Sequence, residues 1–229
     1  HTATVFDIRN GCQGFMTSLI TASQFIAQGT FRTALIVGVS AYGTLFSALK
    51  WRERTKTVFF GDGAGAVVLK KVAHNHQGLY SFDMGNSVGT SHVLNVPFGG
   101  ILSLSRASVY KDSLLGNEME GKEIFDFTVR EVPKTIRFSL QKAGFSIADV
   151  DFIILHQANI NIITAIMNEL HLPLDKTYIN INRYGNTSEA SVPLALHEAL
   201  QEGKIKRGDV VVLCGFGAGM GWGTSVFRW

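Results

Sequence analysis

The 229 residues of this chain are enough for one large domain or two smaller ones. Hydrophobic residues make up 46% of the sequence and charged residues 17%, which excludes a disordered chain. The net charge of +3 is too small to indicate nucleic-acid binding, and the longest apolar runs are far shorter than a membrane span. With two cysteines and no pattern of a secretory signal, we expect a reducing, cytoplasmic compartment.

The first half of the sequence predicts strands and one helix. The β-forming run over 2–8 predicts a strand, and an Asn–Gly turn follows it. Apolar residues at helical spacing predict a helix over 13–28, which Gly29 ends. The continuous apolar run over 34–39 is typical of a strand buried on both faces. The segment 58–72 predicts a Gly-rich turn that opens into a further strand.

The second half of the sequence alternates strands with helices. A long helix is predicted over 118–141, with a kink at Pro133. The later predicted elements are, in chain order, a strand over 150–155, a helix over 159–170, a strand over 177–181, a helix over 188–201, a strand over 210–214, a Gly-rich loop over 215–223 and a last strand over 224–229. This alternation indicates an α/β fold or a related layered fold.

Cys12 follows the predicted first strand and its turn, at the point where a helix begins. Unpaired amides and the helix dipole favour an anion there. We therefore expect the pKa of this thiol to lie below the usual value of about 8.5. A nucleophile is one interpretation of Cys12, and a small core cysteine at a strand–helix junction is the other.

Two further polar residues stand at the ends of predicted elements. His156 follows the predicted strand over 150–155, and α/β folds carry their chemistry at the carboxyl ends of strands. A structural histidine is the alternative. Asn186 lies between a predicted strand and a capped helix, where a simple turn asparagine is the alternative interpretation.

Two Gly-rich segments, over 61–66 and 215–219, look like dinucleotide fingerprints. A fingerprint requires a helix after its glycines, but a strand is predicted after the first segment and no helix after the second. Close backbone approach, or amides directed at an oxyanion, explains these glycines better. His74 and His76 have no carboxylate or cysteine nearby at ligand spacing, so we predict no metal site there.

Taken together, the motifs resemble the condensing enzymes of the thiolase superfamily, and most of all the β-ketoacyl-acyl-carrier-protein synthase III family. The stretches that carry the resemblance are FDIRNGCQGF around Cys12, FFGDGAGAVVL at 59–69, MEGKEIFDFTV at 119–129, ILHQANINII at 154–163, NRYGNTSEASVPLAL at 182–196, and GFGAGMGWGTSVFRW at the end of the sequence. The resemblance implies a thiolase-like layered α-β-α-β-α fold. Residues 1–115 would be the remainder of its first half, which is incomplete, and residues 116–229 its second half.

The resemblance also implies a role for each matching residue. Cys12 would be the nucleophile that accepts the acyl group. His156 and Asn186 would bind the thioester carbonyl of the extender during decarboxylation. The other implied roles are an oxyanion hole from the backbone amides of Cys12 and Ala218, a chamber-lining aromatic ring at Phe125, an arginine near the coenzyme A nucleotide at Arg54, and further substrate contacts at Gly217 and Gly219.

The implied reaction is a decarboxylative Claisen condensation that starts fatty acid synthesis. An acyl-CoA primer would react with malonyl-acyl-carrier protein through an acyl-cysteine intermediate. We expect no metal and no cofactor beyond the coenzyme A thioester substrate, a homodimer, and neither nucleic-acid nor membrane partners. The alternatives are a related enzyme of secondary metabolism, of polyketide or quinolone type, and a non-catalytic partner subunit, against which the retention of Cys12, His156 and Asn186 argues.

Several features depart from the family pattern. Asn161 stands where the family often has an arginine that docks the carrier protein, and Glu189 stands where small residues are usual. The two strands and helices that precede the nucleophile strand in the family are missing. Since the sequence begins at His1 inside a predicted core strand, we expect a processed chain or a fragment whose first sheet is incomplete.

Overall fold

One four-stranded sheet, two two-stranded sheets and the helices packed with them make up the described part of the chain. The structure, a computed structural model, describes residues 2–43, 58–72, 77–95 and 118–229. The helices are α1 (Gly14–Ala27), α2 (Gly121–Ala143), α3 (Ile160–Glu169), α4 (Ile181–Tyr184) and α5 (Ser191–Gln201). The strands are β1 (Thr33–Ala41), β2 (Asp62–Lys70), β3 (Gly78–Asn86), β4 (Leu94–Asn95), β5 (Glu118–Met119), β6 (Phe152–Leu155), β7 (Val210–Gly217) and β8 (Gly221–Arg228).

The larger sheet has four strands in the order β3, β8, β7, β6. β6 and β7 run parallel, and the other neighbours are antiparallel. Side chains of β6 and β7 alternate between two cores: Ile154 and Leu213 pack with α1 and α5, and Ile153 and Val212 pack with α2 and α3. This burial on both faces agrees with the continuous apolar runs that predicted these strands.

A short sheet pairs β4 with β5, and the other two-stranded sheet pairs β1 with β2 in antiparallel register. Its inner face packs on α1 and α5, and Ile36 on that face is only 4% exposed. The outer face carries Leu35, Val37 and Val39, which are more than half exposed. The prediction that the 34–39 strand is buried on both faces is therefore wrong in this structure, because no described residue covers the outer face.

The elements stack as alternating layers. The β1–β2 sheet lies on α1 and α5, these helices lie on the four-stranded sheet, and α2 and α3 cover its far side. The described residues thus supply a β-α-β-α stack, which agrees with the predicted α-β-α-β-α order minus one outer helical layer. The predicted boundary between residues 115 and 116 falls outside the described residues.

Some local predictions differ from the structure. Residues 2–8 form no strand and are mostly exposed, because a strand needs a hydrogen-bonded neighbour and none lies beside them in the described chain. The segment 177–181 makes only an isolated bridge, between Thr177 and Ile153, before α4 begins. The predicted Gly-rich loop over 215–223 is mostly strand, with a tight turn between β7 and β8. Pro133 lies inside α2, and the kink predicted there stays a prediction.

Within the described ranges, no helix is long and apolar enough to cross a membrane.

Candidate active site

Cys12 lies just before the first residue of α1. It occupies a single turn of 3-10 helix, Gly11–Gln13, directly before α1. Asn10 ties this turn to α1: its Nδ2 donates to Thr17 Oγ1 at 2.8 Å, and its Oδ1 accepts from Gln13 Nε2 at 3.2 Å. The sulfur is therefore held on a fixed backbone at the start of a helix, as the sequence predicts.

The end of β7 and the turn that follows it pack against Cys12. A Cβ atom at Gly217 would lie 2.7 Å from Cys12 Cβ and 3.3 Å from its Sγ, so only glycine fits there. A Cβ at Gly11 would lie 3.5 Å from Ala218 Cβ, so Ala218 also lies close to the turn that carries Cys12. Gly219 follows in the turn with a φ of +72°. The close backbone approach inferred from this Gly-rich motif agrees with the structure.

Residues 186–191, called the 186–191 segment below, include Asn186 and contact both Cys12 and His156. The hydroxyl of Ser188 donates to Cys12 Sγ at 3.4 Å, and its amide donates to Asn186 Oδ1 at 2.8 Å. Ser188 is fully buried and has a φ of +51°, in the left-handed region that serine rarely adopts. Backbone strain of this kind concentrates at functional sites, where surrounding contacts enforce it.

The backbone of Asn186 is fixed by the segment before β2. Its amide donates to Phe59 O at 2.7 Å, and its carbonyl accepts from Gly61 N at 3.0 Å. Since Asn186 Oδ1 already accepts from Ser188, the carboxamide is oriented so that Nδ2 is the group left to donate.

His156 follows β6, as the sequence predicts. Its backbone amide donates to Cys214 O at 2.8 Å, which places it beside β7. Its ring meets Phe216 edge-on, with the ring centroids 5.2 Å apart, and its Nδ1 lies 2.6 Å from Ser191 Oγ. The 186–191 segment therefore contacts Cys12 through Ser188 and His156 through Ser191. The structure brings the three predicted residues together around this segment.

The imidazole of His156 is neutral at physiological pH. It is 1% exposed, and burial lowers its pKa to about 3. A buried imidazolium without an acidic partner is unfavourable, because desolvation penalises the charged form. His156 therefore serves as a neutral hydrogen-bonding group with Nε2 left free of the Ser191 contact.

Burial raises the pKa of the Cys12 thiol above its usual value, which makes the prediction of a lowered pKa wrong for this structure. Part of the residue's surface is open, but the protein atoms crowded around the sulfur make desolvation the largest effect. The Ser188 hydroxyl lowers the pKa, and the negative charge of Glu189 raises it. The thiol is therefore largely protonated before substrate binds.

Of the other predicted residues, the structure describes the position of Phe125. Phe125 lies on α2 and lines an open groove of about 420 Å³ together with Val129, Arg130 and Pro133, among others. Arg54, His74 and His76 lie outside the described residues. Across the described chain, no group of three or more His, Cys, Asp or Glu side chains could hold a metal ion.

Sequence reasoning missed three residues that support the site: Ser188, Ser191 and Phe216. The serines belong to the GNTSEAS stretch, and the phenylalanine belongs to GFGAG, but these motifs were used only for Asn186 and for the glycines. A polar residue within five positions of a candidate asparagine was the available signal.

Comparison with known proteins decides the family. The sequence model described as 3-oxoacyl-[acyl-carrier-protein (ACP)] synthase III matches residues 6–87, and the model of its C-terminal part matches residues 140–229. The β-ketoacyl-[acyl-carrier-protein] synthase III of Clostridioides difficile (strain 630) is 43% identical over 231 residues, which cover 99% of this chain and 68% of the relative. This chain belongs to the β-ketoacyl-[acyl-carrier-protein] synthase III family.

The solved structures of a synthase III and of a priming β-ketosynthase confirm the thiolase-like fold. The crystal structure of the 3-oxoacyl-[acyl-carrier-protein] synthase III from Aquifex aeolicus VF5 is 36% identical and matches 98% of this chain and 67% of its own, with a TM-score of 0.85. The priming β-ketosynthase of the R1128 polyketide pathway is 27% identical and matches 97% of this chain and 65% of its own, also with a TM-score of 0.85. The chain thus spans about two thirds of the length of these synthases.

Proposed function

We propose that Cys12, His156 and Asn186 catalyse a decarboxylative Claisen condensation between an acyl-CoA primer and malonyl-acyl-carrier protein, the step that starts fatty acid synthesis. The observation that carries this proposal is the 186–191 segment, which contacts Cys12 at one residue and His156 three residues later. A nucleophile and two neutral hydrogen-bonding side chains in one place suit acyl transfer followed by enolate chemistry.

In the first half-reaction, the sulfur of Cys12 attacks the thioester carbonyl of the primer. A carbon–sulfur bond to Cys12 forms, the bond to coenzyme A breaks, and the cysteine proton leaves with the coenzyme A thiol. We infer that the amides of Cys12 and Ala218 stabilise the negative oxygen during this transfer. The position of Ala218 against the Gly11 turn supports this role.

In the second half-reaction, the malonyl thioester loses carbon dioxide and becomes an enolate. A negative oxygen then needs donors, which His156 Nε2 and Asn186 Nδ2 would supply, each worth about 3 kcal/mol in a dry site. The enolate carbon attacks the acyl carbonyl, a carbon–carbon bond forms, and Cys12 leaves as a thiolate that takes up a proton. A carboxylate at position 186 would repel the enolate, whereas a carboxamide does not.

The family relationship favours this function over the alternatives. Relatives at 39% to 43% identity over nearly the whole chain are β-ketoacyl-[acyl-carrier-protein] synthases III, which disfavours an enzyme of secondary metabolism and a non-catalytic partner subunit. A non-catalytic subunit would also not need a serine hydroxyl that donates a hydrogen bond to its cysteine sulfur.

We further propose the compartment, the oligomeric state and the substrate contacts of the enzyme. The enzyme would be a cytoplasmic homodimer that needs no metal or cofactor, with residues 1–115 and 116–229 as its two halves. Phe125, Gly217 and Gly219 would contact substrate, and Arg54 would lie near the coenzyme A nucleotide. The tight packing of Gly217 on Cys12 supports its place beside the reacting thioester.

Mass spectrometry after treatment with acyl-CoA tests the nucleophile. The Cys12→Ala variant should give no acyl adduct, whereas Cys214→Ala should be acylated like the unmodified protein. Cys214 is a suitable control because it is fully buried and its pKa is raised to about 12, so it is unreactive. An adduct that persists in Cys12→Ala would overturn the assignment.

A further inference from the structure

Ser191 is a buried serine that touches the His156 ring. It is the first residue of α5 and is 1% exposed. Its Oγ lies 2.6 Å from His156 Nδ1 and accepts a hydrogen bond from the backbone amide of Gln157 at 3.3 Å. These are the hydrogen-bond partners of Ser191 Oγ within the described chain.

The amide that reaches Ser191 is itself held in place. The side chain of Gln157 is buried and fully engaged: its Nε2 donates to Leu155 O at 2.9 Å and to Tyr178 O at 3.0 Å, and its Oε1 accepts from Asn180 N at 3.0 Å. This network fixes the chain just after β6. The Gln157 amide therefore acts as a permanent donor to the serine oxygen.

The proton count at Ser191 then favours one form of the imidazole. A hydroxyl has one proton to donate and two lone pairs to accept with, and the Gln157 amide occupies one lone pair. If His156 Nδ1 carried the ring proton, the serine would accept twice, and its own buried proton would have no acceptor among the described residues. A buried donor without an acceptor is costly. With the serine proton donated to a bare Nδ1, the hydroxyl proton, the serine oxygen and Nδ1 all have partners.

His156 carries a single ring proton, because burial keeps the imidazole neutral. With Nδ1 acting as acceptor, that proton must sit on Nε2. The ring also meets Phe216 edge-on, with the ring centroids 5.2 Å apart.

We propose that Ser191 is a positioning residue that fixes His156 as the tautomer protonated at Nε2, so that the imidazole presents a donor, and not a lone pair, to the substrate oxygen. This inference rests on the proposed function, because the donor matters only if an enolate oxygen forms beside it. The opposite tautomer would direct a lone pair at the developing negative charge and repel it.

NMR of protein labelled with ¹⁵N in its histidines tests the tautomer directly. The His156 resonances are assigned by their loss in His156→Gln. We expect a protonated Nε2 and an unprotonated, hydrogen-bonded Nδ1 in the unmodified protein, and a loss of this preference in Ser191→Ala. Ser191→Thr keeps a hydroxyl and should restore it. Ser225→Ala, which removes another buried hydroxyl, serves as control and should leave the signals unchanged.

Kinetics of the two half-reactions provide a second measurement. Ser191→Ala should retain acylation of Cys12 but decarboxylate malonyl thioester at least about tenfold more slowly, since a donor to the enolate is misplaced. A proton on Nδ1 in the unmodified protein, or a tautomer unchanged in Ser191→Ala, would overturn the proposal, and the unmodified spectrum decides this even if the variant does not fold. If decarboxylation is absent from the unmodified protein while its tautomer is as expected, the proposed function fails instead.

Discussion

The hydroxyl of Ser188 lies 3.4 Å from the sulfur of Cys12, although 176 positions separate the two residues in the sequence. The same serine donates its backbone amide to Asn186. One strained residue thus holds the Cys12 sulfur and the Asn186 carboxamide in a fixed relation. The hydrogen bond from the Ser188 hydroxyl also lowers the pKa of the Cys12 thiol.

Removal of the Ser188 hydroxyl should make Cys12 less reactive. The hydrogen bond from Ser188 lowers the pKa of the thiol, so Ser188→Gly should raise it and slow alkylation by iodoacetamide severalfold at neutral pH. Glycine is the suitable replacement because it tolerates the φ of +51°. A rate–pH profile identical to that of the unmodified protein would show that the contact does not tune the sulfur.

Neutralising Glu189 should have the opposite effect. Its negative charge raises the pKa of the Cys12 thiol, so Glu189→Gln should lower that pKa and speed alkylation at the same pH. The pH at which the alkylation rate reaches half its maximum measures the change. Movement of this midpoint in the same direction as in Ser188→Gly would contradict the electrostatic account.

Burial of neutral His156 should make the fold less stable in acid. The pKa of its imidazole is about 3 in the folded state and about 6.5 in the unfolded chain, so between these values the unfolded state binds the additional proton. Stability from this residue is complete above about pH 6.5 and falls by roughly 1.4 kcal/mol for each pH unit below it.

Denaturant unfolding of the unmodified protein and of His156→Gln at several pH values measures this loss. The difference in unfolding free energy between the two proteins should shrink as the pH falls from 7 towards 4. A difference that stays constant over this range would mean that the imidazole is charged in the folded state or exchanges readily with water.

The outer face of the β1–β2 sheet should promote association of the isolated 229-residue polypeptide. Leu35 is 67% exposed and Val37 is 51% exposed, in a row on one face. Exposed apolar rows on a sheet are association surfaces. Analytical ultracentrifugation should show concentration-dependent self-association, which the double variant Leu35→Lys, Val37→Lys reduces. Equal association of both polypeptides would place the contact elsewhere.

The periodicity of apolar residues predicted the elements whose buried face can be recognised from their own sequence. The helix expected over 13–28 is α1, Gly14–Ala27, because one row of apolar residues faces the core. The apolar run over 34–39 could not reveal that one face of β1 stays open, since that depends on what packs there. Residues 2–8 have the composition of a strand, but composition cannot supply a neighbouring strand.

The site was predictable only in part for a similar reason. Cys12, His156 and Asn186 stand at ends of elements and in motifs, so the sequence alone suggests them as candidates. The contacts of Ser188 with Cys12 and of Ser191 with His156 join positions far apart in the chain, which no local pattern encodes. The thiol pKa also depends on burial in three dimensions, which outweighs the helix-start effect that the sequence suggests.

The central claim is that Cys12 accepts the acyl group while His156 and Asn186 act in decarboxylation. The most direct test measures carbon dioxide release from a malonyl thioester by His156→Ala and by Asn186→Ala. Mass spectrometry on the same samples follows acylation of Cys12. Both variants should still form the acyl-enzyme, while decarboxylation falls by about 100-fold or more, because each has lost a donor to the enolate oxygen. Release of carbon dioxide at the unmodified rate by both variants would contradict the account.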